Sequence, residues 1–376
     1  MKWFSFGYLG SISIILCLGL LMIFNTTSAE VIEVGRWDLA FHAIIRQILY
    51  LILSIGMGFG LLILGYKEVL KLMPLLLVLS IFLLALVLVP GVGQKINGAR
   101  RWISLLGNSI QPSEFAKYAI GFFFIEKMGD HLIHNNFDYK KFFKVLLICI
   151  VPILLTVLEP DNGTALIMFM TLCGLFILTK IPLKVWLLPL MIIMTVGGTF
   201  ALQMPHVQKR IEVFRNPEKD VLGKGHQSYQ SKVAIGSGGF WGKGIGSSLQ
   251  KFGFLPEARS DYIAAIFAEE TGFIGLCCLI ILYLIHLVSG VAIAMKIRCP
   301  KGALTVLLSS FLISLQAFIN LGVISCLLPS KGTNLPFFSH GGSSLISSVF
   351  AVFMVLSVIK QYNKGSKRYH SPSSSI

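Results

Sequence analysis

Long apolar runs separated by short polar connections occupy nearly the whole chain. Runs long enough to cross a hydrocarbon layer, about 17–25 residues each, fall near residues 6–25, 41–65, 70–91, 113–127, 142–159, 164–180, 183–202, 262–295, 303–327 and 341–360. The spacing predicts ten transmembrane helices in an all-α polytopic membrane protein, the fourth to sixth being the shortest. The first run follows Lys2 and ends near Thr27-Ser28-Ala29, in the manner of a signal peptide; its length and the nine spans after it predict a retained helix. Residues 1–363 read as one transmembrane domain interrupted by a polar loop at 203–261, and the Ser-rich tail 364–376 reads as disordered.

Composition agrees with a membrane protein. Of 376 residues, 55% are hydrophobic and 13% charged, and the mean hydropathy is +0.78, outside the globular range. The seven cysteines lie in or at the ends of apolar runs without a CxxC pair, so they read as free thiols serving as small hydrophobes. The net charge of +15 does not mark a nucleic-acid binder, because its placement follows the membrane. Lys67 and Lys71, Lys140, Lys141 and Lys144, Lys180 and Lys184, Lys296, Arg298 and Lys301, and Lys360, Lys364, Lys367 and Arg368 occupy alternate connections and the tail, which places those loops and both termini in the cytoplasm. Two opposite-side loops are also basic: Lys95, Arg100 and Arg101 in one, nine Lys or Arg in the long loop. Cations on the translocated side call for an anionic ligand such as a phosphate.

Four stretches carry candidate chemistry. In GVGQKINGARRWISLLGNSIQPSEFAK, residues 91–117, Asn97-Gly98 and Asn108-Ser109 are turn signals and Pro112 opens a helix. Glu114 and Lys117 then share one helical face at the membrane boundary, where ionisable groups usually line a polar cavity; a capped helix above a basic interfacial loop explains the residues about as well. Glu159-Pro160-Asp161-Asn162-Gly163-Thr164 reads mainly as a turn, with Thr164 able to cap the next helix. In the long loop, Lys209-Arg210 suggests an amphipathic helix along the membrane, and Ser231 to Phe254 interleaves glycines with Phe240, Trp241, Phe252 and Phe254, as suits an interfacial segment approaching a ligand closely. The loop ends on Asp261, which is either a helix cap or a general base, with Glu269-Glu270 one segment deeper. In residues 328–344 two prolines and three glycines surround Lys331, predicting an extended or re-entrant segment that lines the cavity of Asp261. The eight histidines show no metal spacing, and no GxxxxGK[ST] motif occurs, so neither a zinc site nor a nucleotide site is supported.

Taken together, GARRW, QPSE with Lys117, PDNGT, GSGGFWGKGIGSSLQKFGFLPEARSDY and LPFFSHGGSS resemble the FtsW/RodA (SEDS) family of glycosyltransferases in bacterial cell-wall synthesis. The likeness runs from about residue 40 to 360, and INGARRW, GIGSSLQKFGFLPEA and LLPSKGTNLPF are more similar to its division branch than to its elongation branch. Two motifs depart from the family pattern: HTDF reads Arg259-Ser260-Asp261-Tyr262, and SYGGSS reads Ser339-His340-Gly341-Gly342-Ser343-Ser344. The resemblance implies a ten-helix fold in the bacterial cytoplasmic (inner) membrane, at the division septum, polymerising lipid II on the outer face. It implies Asp261 as the essential acid, Glu114 and Lys117 as the QPSE glutamate and its following lysine, and Lys331 as the lysine before the LPF motif. Because lipid II carries its own pyrophosphate leaving group, no nucleotide site is required. Inversion at the anomeric carbon needs one base and cations on the departing pyrophosphate. On this reading Asp261 is the base, Glu114 and Lys117 orient it, and Arg100, Arg101, Lys243 and Lys331 contact pyrophosphate, with Gln111 and Ser343 as further substrate contacts. A divalent cation, magnesium or manganese, bridging carboxylate and pyrophosphate is compatible with it. The implied partners are a class B penicillin-binding protein, an FtsI-like transpeptidase, and other divisome membrane proteins. The residues alone leave open an elongation role, a lipid II flippase using the same cavity, and a non-catalytic scaffold.

Overall fold

The computed structural model describes residues 2–34, 37–96, 99–105, 108–130, 137–203, 207–208, 212, 214, 225–330 and 332–370. Helices α1 (Lys2–Val34), α2 (Trp37–Leu64) and α3 (Tyr66–Leu88) are followed by strands β1 (Gly93–Ile96), β2 (Ala99–Leu105) and β3 (Asn108–Ile110). Then come α4 (Pro112–Met128), α5 (Tyr139–Leu158), α6 (Asn162–Leu178), α7 (Leu183–Gln203), α8 (His226–Gly238), α9 (Ile263–Lys296), α10 (Pro300–Ile324) and α11 (Gly342–His370).

Among the described residues seven helices are long and apolar enough to cross a membrane: the cores of α1, α2, α3, α5, α9, α10 and α11. Asn162–Leu178 and Leu183–Ile192 are shorter apolar helices, and α4 has 17 residues. The chain is therefore a polytopic helical membrane protein, but length and apolarity alone account for seven spans where the sequence pattern predicts ten. The difference falls on the short segments. Helix α4 explains why: it packs against α3, α5, α6, α10 and α11, and 14 of its residues are buried, so protein rather than lipid surrounds it. Its neighbours let it carry Glu114 and Lys117 in a short span. Helix α11 continues to His370, past the point where the disordered tail is expected to begin; residues 371–376 lie outside the described residues, as does the expected amphipathic helix at Lys209-Arg210.

The all-α expectation needs one addition, a three-stranded antiparallel sheet in the order β1-β2-β3. Gln94 faces Trp102 and Ser104 faces Ser109 across the pairs, with an irregularity between Gln94 and Lys95. The turn signals at Asn97-Gly98 and near Asn108 flank a run with β-branched and aromatic residues, Arg100-Arg101-Trp102-Ile103, which is hairpin grammar. Asn108 and Ser109 themselves lie in β3.

Helix α9 holds the feature that anchors the glycine-rich loop. Its 34 residues would measure about 51 Å at 1.5 Å per residue, longer than a ~30 Å hydrocarbon core requires. It breaks at Gly272, where φ is 70°. The glycine-rich loop satisfies the backbone groups around the break: Phe273 N–H donates to Gly239 O at 2.9 Å and Ile274 N–H to Phe240 O at 3.4 Å. In return Lys243 N–H donates to Glu269 O at 3.1 Å and Gly244 N–H to Glu270 O at 3.0 Å. These loop glycines, whose pattern predicts close approach to a ligand, approach a helix backbone. A Cβ on Gly242, at φ 82°, would lie 2.2 Å from Glu270 O, and one on Gly272 would lie 2.3 Å from Gly242 N. Gly242→Ala and Gly272→Ala are each expected to cost at least about 1–3 kcal/mol of stability, read as a lower midpoint in thermal unfolding of the detergent-solubilised protein.

Candidate active site

The site assembles where the first turn of α4, the α5–α6 turn, the start of α9, one face of α10 and residues 330–343 converge. Pro112 sits at the start of α4, where its missing N–H costs nothing, and the next turn presents Glu114 and Lys117. Lys117 is 0% exposed and Glu114 6%. The Lys117 Nζ donates to Glu114 Oε2 at 2.6 Å and to Gln316 Oε1 at 2.5 Å. Gln316 passes the link on, its Nε2 donating to Asn334 O at 2.8 Å.

One helical turn further along α10, Asn320 Nδ2 donates to Asp261 O at 2.8 Å and to Thr333 O at 2.6 Å. One side chain therefore ties the Asp261 turn to the 332–334 segment. Tyr262 OH reaches Ser330 Oγ at 3.0 Å, a second tie between the same pieces of chain. Asp261 Oδ2 lies so near Gly332 that an added Cβ would sit 2.7 Å from it. Gly332→Ala is expected to turn the Asp261 carboxylate and lower turnover with little change in unfolding midpoint, a separation that steady-state kinetics beside a melting curve detects. Lys331, between these residues, lies outside the described residues.

The α5–α6 turn closes the opposite wall. Asp161 caps α6, its Oδ1 accepting from Thr164 N–H at 3.3 Å, so the capping side chain is Asp161 and not Thr164. Its Oδ2 accepts from Gln111 Nε2 at 3.0 Å and Ser113 Oγ at 3.3 Å. The Gln111 N–H donates to Ser343 Oγ at 3.0 Å, so these two expected substrate contacts brace each other where α4 and α11 begin. Arg101 on β2 donates from Nε to Glu159 O at 3.3 Å and from Nη2 to Pro160 O at 2.5 Å. Arg100 stands on the same strand opposite Lys95.

The Asp261 carboxyl is pushed up to about 7, first by its withdrawal from water, then by the charges of Glu257 and Asp161; Arg101 pulls the other way and Glu114 adds a smaller upward push. Asp261, Asp161, Glu114 and Arg101 thus act on one electrostatic space. A carboxylate poised near neutrality is what proton abstraction from a hydroxyl needs. Glu159 is buried with both carboxylate oxygens unpartnered, and burial with the Asp161 charge raises it to about 8 against the pull of Arg101.

Lys243 stands elsewhere. Its Nζ pairs with Glu269 Oε1 at 2.6 Å, inside a second polar cluster built on the buried Glu269 and Glu270. Glu269 also accepts from Ser248 Oγ, Leu249 N–H and Gln250 N–H. Glu270 accepts from Lys251 Nζ at 3.2 Å and from Asn25 Nδ2 of α1. This cluster fastens the glycine-rich loop to α1 and α9. Gln316 and Asn320 join the candidate residues only through the fold; their signal in the sequence is two amides four residues apart inside an apolar span.

A helical membrane protein in which a carboxyl raised toward neutrality, Asp261, lies among polar side chains linked to a buried ion pair is the class defined by this architecture. The chain belongs to the FtsW/RodA/SpoVE family of cell cycle proteins, whose pattern matches residues 8–364. It is 33% identical over 365 residues to a probable peptidoglycan glycosyltransferase FtsW of Saccharophagus degradans, covering 96% of this chain and 93% of that one. Its fold matches a chain solved in a study of the structural coordination of polymerization and crosslinking by a peptidoglycan synthase complex, with a TM-score of 0.75, 26% identity, and 97% and 98% of the two chains covered. It also matches the rod shape determining protein RodA of Thermus thermophilus, with a TM-score of 0.64, 25% identity, and 95% and 96% covered.

Proposed function

We propose that this chain is a peptidoglycan glycosyltransferase that polymerises lipid II at the outer face of the bacterial cytoplasmic membrane for septal wall synthesis. The observation that carries the reading is the placement of Asp261, its backbone pinned by Asn320 and its side chain against Gly332, with burial pushing the carboxyl up to about 7. As the base, Asp261 takes the proton of the acceptor 4-hydroxyl while the oxygen attacks the anomeric carbon and the lipid pyrophosphate departs. Glu114 and Lys117 hold Gln316 and, through it, the 332–334 segment that lies beside Asp261. Arg101, fixed on two backbone carbonyls, is the described cation nearest in role to a pyrophosphate clamp. Arg100 and Lys331 are proposed beside it, whereas the Lys243 ammonium is committed to Glu269. For a divalent cation, no three acidic, histidine or cysteine side chains among the described residues form a cage, so no step is routed through one.

The partner we propose is a class B penicillin-binding protein of the FtsI type, with other divisome membrane proteins around it and both termini in the cytoplasm. The solved relative from a study of coordinated polymerization and crosslinking by a peptidoglycan synthase complex supports the crosslinking partner, and the FtsW relative supports the division branch. The test is conversion of purified lipid II by the detergent-solubilised chain with its transpeptidase partner. Long glycan is expected; head-group translocation in proteoliposomes without polymer would replace the enzyme with a transporter.

A further inference from the structure

The glycine-rich loop keeps its charge inside and its hydrophobes outside. The charged residues of 239–254 are Lys243 and Lys251, and both turn onto the buried pair Glu269 and Glu270. The Lys251 side chain is 4% exposed, and its ammonium also donates to Asn25 Oδ1 at 2.7 Å and Gly246 O at 2.6 Å. Outward stand Phe240, Leu249, Phe254, Trp241 and Ile245, the last two 79% and 83% exposed. A loop surrounded by water has the reverse arrangement, and apolar side chains gathered on one exposed loop mark a surface that something apolar covers.

That surface runs on into the lipid-facing side of α9. Phe273, Ile281, Leu284, Val288, Val291 and Met295 are all exposed, and their spacing puts them on one helical face. From Phe273 to Met295 the face measures about 33 Å at 1.5 Å per residue, against a hydrocarbon core of ~30 Å. Beside Met295, Lys296 Nζ lies 4.5 Å from the centroid of the Phe4 ring, a cation and an aromatic together as at a membrane boundary. Phe273 therefore stands at the opposite boundary, on the side of Asp261. There the Phe240 ring stacks on Phe273 with centroids 5.9 Å apart, and Trp241 meets Phe240 edge-on at 5.6 Å.

We propose that residues 239–249 form an aromatic wedge seated in the headgroup–acyl boundary of the leaflet on the Asp261 side, with the lipid surface as its partner. Phe240, Trp241 and Ile245 enter lipid while both ammoniums stay on their carboxylates. The backbone meets the condition that lipid imposes, since main-chain polar groups at membrane depth need protein partners. The carbonyls of Gly239 and Phe240 accept from the N–H groups of Phe273 and Ile274, and the N–H groups of Gly242, Lys243 and Gly244 donate to the carbonyls of Gly238, Glu269 and Glu270. A protein partner covering the loop would not require that closure. The wedge stands apart from the role given to Asp261.

The test follows Trp241 fluorescence in the full chain with the other four tryptophans, Trp3, Trp37, Trp102 and Trp186, replaced by phenylalanine. The protein is reconstituted in vesicles of phosphatidylethanolamine and phosphatidylglycerol whose acyl chains carry bromine near either the glycerol end or the methyl end. Emission is expected to be quenched about threefold more by bromine near the glycerol end, and about fivefold less by aqueous acrylamide than that of free tryptophan, as for a ring in the aromatic belt. If the fourfold variant fails to fold, fluorine NMR of the otherwise unaltered chain labelled with fluorotryptophan replaces it. The line lost in Trp241→Phe should then be broadened by spin-labelled lipid and not by a water-soluble gadolinium chelate. Access to acrylamide or chelate without contact to lipid would overturn the proposal, and loss of that access on adding the transpeptidase would make the loop a protein dock instead. Equal quenching from both bromine positions would overturn the boundary placement.

Discussion

Asp261→Asn is expected to reduce glycan polymerisation at saturating lipid II by about 10²–10⁴-fold, the usual contribution of a positioned general base. Asparagine keeps the shape of the side chain against Gly332 and leaves the backbone tie from Asn320 in place, so substrate binding should change little. The parent enzyme should gain rate as pH rises through about 7, where the carboxyl ionises, and the variant should lack that limb. The same shift acts on stability with a definite sign. A carboxyl whose folded value lies above its unfolded one binds more protons when folded, so its contribution is complete below about pH 4 and is lost as pH rises through about 7. At pH 8 the folded state therefore carries an ionised group that it would hold better neutral. Removing that charge should raise the unfolding midpoint of Asp261→Asn while abolishing its activity. A calorimetric scan beside the polymerisation assay reads both; a variant that is inactive and less stable would point to a structural role instead.

Legibility followed the range of the interaction. Glu114 and Lys117 are neighbours on one helix, so their pairing could be read from a spacing of three. Asp261 was legible from its place at the end of a cationic loop. What the spacing could not show is that α10 joins the two through Gln316 and Asn320, because that link depends on a crossing of helices almost 200 residues apart in sequence. The glycine-rich loop was legible as a place of close approach but not in its target: only the break at Gly272 reveals that glycines 239–244 satisfy helix backbone. The pairing of Lys243 with Glu269 was hidden for the same reason, since Glu269 is buried by the fold that the loop completes. The short sheet at 93–110 was missed because two turn signals were taken singly, without the strands they join.

Lys117→Met should be the most damaging change for folding. Exposed ion pairs contribute about 0–1 kcal/mol, but this ammonium is fully buried and compensates a carboxylate 2.6 Å away. Removing one member of such a pair typically costs about 3–5 kcal/mol, because the remaining charge is stranded out of water. The loss should be measurable as protein that extracts poorly or melts far below the parent. Pairing it with Glu114→Gln removes the stranded charge, so the double variant should recover much of the stability. Activity need not follow. The link from Lys117 through Gln316 to Asn334 is still broken, so turnover should stay depressed in a well-folded double variant. The charge of Glu114 also contributes to raising Asp261, so Glu114→Gln should move the acid limb of the rate to lower pH, while Lys117→Met, which leaves that charge uncompensated, should move it higher. Opposite displacements would show that the pair tunes the base as well as holding the helix. Equal displacements, or none, would reduce it to a structural pair.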